Sequence, residues 1–266
     1  VKVGFFQFSP VWGKKDENLE KAISSIRGAK ADLLVLPELF STGYLFENGE
    51  ELKRSAEIIP EGPTFLRLAD LAAEEKVNLV FGMAEREGEA VYNSSVLVTP
   101  AGDFWVYRKL HLFDREKLWF TPGNKELEVI DIGRTRVGMM ICFDWIFPEV
   151  ARILTLKGAQ IICHPSNLVL AYCQSAMITR CVENRVFAIT ANRTGTEERG
   201  GVKLTFTGKS QVVAPQGEIL SQTNETEEGV WTVDLDPKLA LNKNFTPGNH
   251  LLNDRRTEFY RKGNLC

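Results

Sequence analysis

Ala31-Asp32-Leu33-Leu34-Val35-Leu36-Pro37 is followed at once by Glu38, and 128 residues further on (159 − 31) the chain reads Ala159-Gln160-Ile161-Ile162-Cys163-His164-Pro165. Both are short apolar runs closed by proline, the length and punctuation of a buried strand. Each belongs to an ordered set. Val3-Gly4-Phe5-Phe6 precedes the first run as Val137-Gly138-Met139-Met140 precedes the second, at an offset of 134 (137 − 3). Val77 to Glu85 and Arg185 to Asn192 follow them as further buried strands. Ser95-Val96-Leu97-Val98-Thr99-Pro100-Ala101-Gly102-Asp103 then matches Ser210-Gln211-Val212-Val213-Ala214-Pro215-Gln216-Gly217-Glu218, at an offset of 115 (210 − 95). In both, Pro and Gly stand where a tight turn joins two strands. Four matches in the same order indicate a duplicated unit.

Each unit reads strand, helix, strand, helix, strand, hairpin. Apolar residues at three- and four-residue spacing place helices near 16–28, 64–76, 148–157 and 174–184. Asp16 is positioned to cap the first, and Pro63 with Thr64 to start the second. Short strands alternating with such helices imply sheets covered by helices. Two such sheets stacked face to face give an α/β fold, a four-layer α-β-β-α sandwich with an internal pseudo-twofold repeat. One continuous doubly wound sheet is the alternative. No linker separates the halves, so residues 1–236 are expected to form one domain. Residues 237–266 are polar and irregular, and are expected to form a C-terminal arm packed on that domain or on a partner subunit.

Composition narrows the function. Among 266 residues, 32 Lys and Arg against 35 Asp and Glu leave a net charge of −3, which argues against bulk-charge binding of nucleic acid or an anionic membrane. No apolar run is long enough to cross a bilayer, and the first strand lacks the features of a signal peptide. The five cysteines, Cys142, Cys163, Cys173, Cys181 and Cys266, contain no CxxC, and the three histidines are isolated, so neither disulfides nor a metal is expected. A cytoplasmic protein without cofactor is the expectation.

Open α/β sheets place their sites at strand ends. Glu38 directly follows one apolar strand, Cys142 ends another, and Lys109 follows the first hairpin. A thiol, a carboxylate and an ammonium are what acyl transfer through a thioester needs: nucleophile, base and electrostatic stabiliser. The ordinary readings are a small core cysteine, a turn glutamate and a solvated lysine. Thr207-Gly208-Lys209-Ser210 imitates the end of a P-loop, but Lys203 stands where its first glycine is required. No GxSxG serine elbow occurs.

The words around the three residues tip the balance. Leu36-Pro37-Glu38, Lys109-Leu110-His111-Leu112-Phe113-Asp114, and Cys142-Phe143-Asp144 with Phe147-Pro148-Glu149 resemble the three signature blocks of the nitrilase superfamily of carbon–nitrogen hydrolases. Gln7, Tyr92-Asn93-Ser94, Pro122-Gly123, Arg152, His164-Pro165-Ser166-Asn167 and Glu183-Asn184-Arg185 agree, and Asp254-Arg255-Arg256 with Tyr260 extends the likeness into the tail. The resemblance implies the four-layer sandwich, with residues 1–236 as a carbon–nitrogen hydrolase domain, and a homodimer or higher homo-oligomer. It makes Cys142 the nucleophile, Glu38 the general base and Lys109 the oxyanion stabiliser, with the backbone N–H of Phe143 as a second donor. Glu116, six residues before Pro122, resembles the family's additional glutamate and is expected to orient the substrate amide and Lys109. Substrate contacts are expected from Phe113, Phe143, Trp145, Ser166 and Asn167; Phe40, Tyr44 and Trp119 are core residues or pocket walls.

The substrate is then a small molecule. In true nitrilases of this family the nucleophile is typically followed by Trp-Glu, whereas here Phe143-Asp144 follows. The chain resembles the smaller amidases, including those acting on ω-amides of dicarboxylic acids. The expected reaction is hydrolysis of a small aliphatic or ω-amide to carboxylic acid and ammonia. A nitrilase on small aliphatic nitriles is the alternative, since a thioimidate forms at the same cysteine. An N-carbamoyl amine hydrolase is a further one, weakened by Trp145 where such enzymes often carry Arg. A vestigial regulatory or binding protein is the non-enzymatic reading, and it has no need of an intact Glu, Lys and Cys set.

Overall fold

In the computed structural model, which describes residues 1–260, the apolar residues of the first half divide by period two along their strands. Val3, Phe5, Leu33, Val35, Val80 and Leu97 point one way and pack with Val137, Ile161, Cys163 and Ile189 of the second half. Phe6, Leu34, Leu36, Leu79, Phe81 and Val98 point the other way, onto Leu19, Ile23, Phe65 and Leu68 of two helices. A sheet apolar on both faces has to be covered on both.

The first half runs β1 (Lys2–Gln7), α1 (Lys15–Ile26), β2 (Leu33–Val35), α2 (Gly49–Ser55), α3 (Pro63–Glu75), β3 (Asn78–Glu87), β4 (Ala90–Val98), β5 (Phe104–Arg108), α4 (Glu116–Trp119) and β6 (Val129–Asp131). The second half runs β7 (Arg136–Met139), a 3-10 turn (Cys142–Ile146), α5 (Pro148–Leu156), β8 (Ile161–Ser166), α6 (Cys173–Asn184), β9 (Phe187–Asn192), a hairpin β10 (Thr196–Arg199) and β11 (Val202–Thr205), then β12 (Gln211–Val213), β13 (Ile219–Gln222) and β14 (Gly229–Asp234). The tail holds a 3-10 turn (Pro237–Leu241), β15 (Asn244–Thr246), β16 (Asn249–His250) and α7 (Thr257–Tyr260).

The strands form two six-stranded sheets, ordered β14-β1-β2-β3-β4-β5 and β6-β7-β8-β9-β12-β13. In each the second, third and fourth strands run parallel, and the other pairings are antiparallel. With α1 and α3 outside one sheet and α5 and α6 outside the other, this is the four-layer sandwich; the single continuous sheet is excluded. The duplication reaches hydrogen-bond detail. At the first hairpin Thr99 N–H donates to Asp103 O and Gly102 N–H to Thr99 O; 115 residues on, Ala214 donates to Glu218 and Gly217 to Ala214. Both turns place a glycine at φ near +90°, +88° for Gly102 and +90° for Gly217.

One feature of the topology is absent from the sequence reading. With the β10–β11 hairpin set aside, each unit ends in a sixth strand that leaves its own sheet: β6 of the first unit pairs with β7 of the second, and β14 of the second pairs with β1 of the first. The halves therefore complete each other's sheets.

Pro63 occupies the first turn of α3, as expected, and the Glu57 carboxylate caps it, accepting from Thr64 N–H at 2.8 Å and Thr64 Oγ1 at 2.7 Å. The expected cap at Asp16 is not made. Lys14 precedes the first turn of α1 with no side-chain cap, and Asp16 lies inside that turn, where its charge meets the helix dipole instead. The tail lies against the body: Lys243 Nζ donates to Asn184 O and Arg185 O at the end of α6, and Gln160 Nε2 donates to Pro237 O. Cys266 and the rest of residues 261–266 lie outside the described residues. Among the described residues no helix is long and apolar enough to cross a membrane.

Candidate active site

Parallel strands β2, β7 and β8 end on the same side of the sandwich, and the chain leaving them carries Glu38, Cys142 and Asn167. Glu38 sits in a turn held against β3: Gly82 N–H donates to Pro37 O, and Phe40 N–H to Gly82 O. A Cβ on residue 82 would stand 2.5 Å from Glu38 Cα and 2.9 Å from Leu39 N, so only glycine admits this contact. Gly82→Ala must push the Glu38 backbone aside, and a shift of about 1 Å at a reacting group costs about 100-fold in rate. Turnover of Gly82→Ala is expected to fall by about that factor. Unchanged turnover in a folded variant would remove Gly82 from this role.

Lys109 leaves β5 with its ammonium wholly buried. Nζ donates to Glu38 Oε1 at 2.7 Å and to Glu116 Oε1 at 2.8 Å. Burial pulls the lysine pKa down, but the two carboxylates outweigh it and hold the net value well above that of a free lysine. Asn93 Nδ2 bridges the same two oxygens, at 2.7 Å to Glu38 and 3.4 Å to Glu116. Glu116 Oε2 accepts from Phe113 N–H at 2.8 Å. Glu116 is thus surrounded by donors, whereas Glu38 Oε2 is buried with no partner among the described residues. Burial raises the Glu116 pKa to about 7, against the pull of Lys109 and helped by the charge on Glu38.

Cys142 is 5% exposed and has φ +41°, a left-handed conformation in which a side chain is strained. The strain turns the chain sharply from β7 into one turn of 3-10 helix. That turn, rather than α5, is the helix the nucleophile candidate opens. His164 Nε2 lies 2.9 Å from Cys142 O, and because that oxygen only accepts, Nε2 carries the proton. Burial lowers the His164 pKa to about 4, so the ring is neutral. Asp144 secures the turn from the other side, accepting from Ile141 N–H and from Tyr107 OH at 2.7 Å, with His111 on its second oxygen. Burial and the charges of Glu38 and Glu116 push the Cys142 thiol well up, opposed by Lys109 and the Asn167 N–H. The resting sulfur is a protonated thiol and needs a base.

Phe113, Phe143, Trp145 and Asn167 line the cleft at Cys142 together with residues 168–170. Ser166 does not line it; its hydroxyl is engaged by His164. Phe40 is core, while Tyr44 and Trp119 wall an adjoining cavity next to Glu116, roofed by Val202 and Leu204 of the β10–β11 hairpin. Sequence reading missed the roles of Asn93 and Asp144, whereas Tyr44 and Trp119 take the pocket-wall reading. The signal for Asn93 was available: Asn93-Ser94-Ser95 is a polar run inside a strand that is otherwise apolar and fully buried. The group can activate a thiol, hold an acyl carbonyl beside an ammonium, and return a proton to a leaving amine.

The carbon-nitrogen hydrolase family profile matches residues 2–241, and the chain belongs to that family, within the nitrilase superfamily; it is an enzyme of the nitrilase and amidase type. It is 48% identical over 263 residues to a protein of Pyrococcus abyssi named nitrilase, covering 98% of this chain and 99% of that one. A solved carbon-nitrogen hydrolase from Helicobacter pylori superposes with a TM-score of 0.88 at 27% identity, covering 98% of this chain and 97% of its own. A glutamate-to-glutamine variant of an amidase from Nesterenkonia sp. AN1, 26% identical, superposes at 0.80 with 98% of each chain covered. That structure shows acrylamide added to its active-site cysteine.

Proposed function

We propose that the protein is an amidase that hydrolyses a small aliphatic or ω-amide to its carboxylic acid and ammonia through a thioester on Cys142. The observation that carries this reading is the buried Glu38–Lys109–Glu116 cluster beside a protonated thiol, with one oxygen of Glu38 left open. Glu38 Oε2 takes the thiol proton as sulfur attacks the carbonyl carbon. An ammonium has three donors. Two of those on Lys109 hold carboxylates, and the third stabilises the oxyanion with the N–H of Phe143, which a one-turn helix leaves available. Glu38 then protonates the departing nitrogen, giving ammonia and the thioester. Water, deprotonated by Glu38, attacks the thioester, and collapse releases the acid and returns the proton to sulfur.

Nitrile hydrolysis is the second reading, favoured by the 48% identity to a protein named nitrilase. Ammonia release from matched amides, carbamoyl amines and nitriles tests the proposal, and turnover confined to nitriles would overturn it.

Glu116 already receives three donors, so we assign it the holding of Lys109 rather than direct contact with the substrate. Glu116→Gln should lower amide turnover about 100-fold through misplacement of that ammonium. Its raised pKa has a stability consequence too. A carboxyl that folding lifts from about 4.5 to about 7 stabilises the folded state fully below 4.5, and this contribution is lost as pH rises through 7. Melting between pH 5 and 8 should therefore slope less in Glu116→Gln than in the parent. Equal slopes would refute it.

We also take residues 237–266 as an arm that helps join subunits, because Leu239, Leu241, Phe245 and Phe259 on it are more than half exposed. Light scattering should give at least twice 29.9 kDa, and a monomer at micromolar concentration would refute the assignment. A reducing, cytoplasmic setting fits the four unpaired cysteines among the described residues.

A further inference from the structure

Asn167 is 2% exposed, and neither Nδ2 nor Oδ1 has a hydrogen-bond partner among the described residues. No other buried amide side chain described is unpaired at both ends. Asn192, equally buried, donates to Thr207 Oγ1 and Gly208 O and accepts from Leu168 N–H. Interiors pair roughly 90% or more of such groups, so a doubly orphaned amide marks a place where something else supplies the partner. The position of Asn167 says what. It lines the same cleft as Cys142, where an acyl group carried on that sulfur would lie.

The rest of the lining is apolar: Phe113, Phe143, Trp145 and residues 168–170. Lys109 is engaged by two carboxylates, and Arg180, which donates to Trp145 O, is paired with Glu183. Asp114 and Arg115 line the adjoining cavity rather than this cleft. A charged acyl chain would lose its water here and gain no counter-charge, the costliest form of burial.

We infer that the acyl pocket selects a short uncharged chain bearing one group that both donates and accepts a hydrogen bond, such as a distal carboxamide or hydroxyl, and that Asn167 is the residue that selects it. Chains ending in a carboxylate or an ammonium are rejected, which narrows the ω-amide expectation to neutral members. The inference rests on the proposed role of Cys142, and its choice of amide probes rests on the amidase reading.

A four-carbon series isolates the effect: butanamide, succinamide, succinamic acid and 4-aminobutanamide, each also as the corresponding nitrile, with kcat/KM followed by ammonia release. Succinamide, after a statistical factor of two is removed, should exceed butanamide about tenfold, the worth of satisfying a buried polar group. It should exceed both charged members about 100-fold or more. Asn167→Leu, of similar volume, should bring the ratio of succinamide to butanamide close to one. Asn167→Ser should lower that ratio as well, so a folding defect in the leucine variant does not decide the matter. Equal turnover of a charged member and succinamide would overturn the inference, as would a ratio unchanged in both variants. The same ranking confined to nitriles would sustain the inference and remove the amidase reading.

Discussion

Cys142→Ala is expected to yield a folded protein whose turnover is lower by about four orders of magnitude or more, the scale seen when a covalent nucleophile is lost. The fold should survive because alanine is smaller and occupies the same strained conformation at φ +41°. Cys142→Ser should be nearly as inactive, since a hydroxyl is harder to deprotonate than the thiol and Glu38 is its only base. In the parent, a slow substrate or a haloacetamide should leave its adduct on Cys142. Cys163, Cys173 and Cys181 are buried without an adjacent base, and burial raises their pKa values and keeps them protonated. Peptide mapping separates all of these from Cys266. An adduct on Cys163 or Cys181 that tracks loss of activity would displace Cys142 from its role.

Lys109→Met should be the most destabilising single change at the site. It keeps the length of the side chain but leaves Glu38 and Glu116 facing each other in the interior with no cation between them. Removing one partner of a buried ionic group costs about 3–5 kcal/mol. For a chain of this size that is about 10 °C in melting temperature. The sign with pH follows from the same charges. Without the ammonium the Glu116 carboxyl is raised further above its unfolded pKa, so the variant is best at low pH, where that group is neutral, and loses stability as pH rises. The gap to the parent should therefore be smaller at pH 5 than at pH 8. Lys109→Met combined with Glu116→Gln should recover part of the stability and none of the turnover. A melting gap independent of pH would mean that the cluster is not held by charge.

The sequence made the repeat, the four long helices and the Glu38, Lys109 and Cys142 set legible because each rests on a local contrast. An apolar run stops, and a reactive group follows it immediately. What it did not disclose depends on partners distant in the chain. Strand β6 has three residues and β14 is half exposed along its length, so neither carries the apolar signature of a buried strand. Helix α2 has seven residues and one buried side chain, too few for a period, although Asn48 with Glu51 three residues on was a readable cap. Asn93 and Asp144 look like ordinary polar residues until the fold brings 38 beside 93 and 107 beside 144. The lining of the cleft was legible only in part: Asn167 and the aromatics are there, and Ser166 faces away because His164 claims its hydroxyl.

The exchange of edge strands sets a schedule on the ribosome. Strand β1 is made 222 residues (229 − 7) ahead of Gly229–Asp234, the strand that closes its outer edge. At about 5–20 residues per second, the nascent chain carries that open apolar edge for about 10–45 s before its partner is synthesised. The acceptor surface tolerates no improvisation, since at Gly4 any side chain would meet Trp231 O at 2.1 Å. The proposed catalytic set is incomplete in the meantime as well, because Glu38 and Glu116, with the Lys109 ammonium between them, are translated before Cys142 exists. A nascent chain paused after residue 131 therefore carries an apolar sheet with its β1 edge unpaired and its own sixth strand still without the sheet it completes, the form in which a chaperone has most to hold.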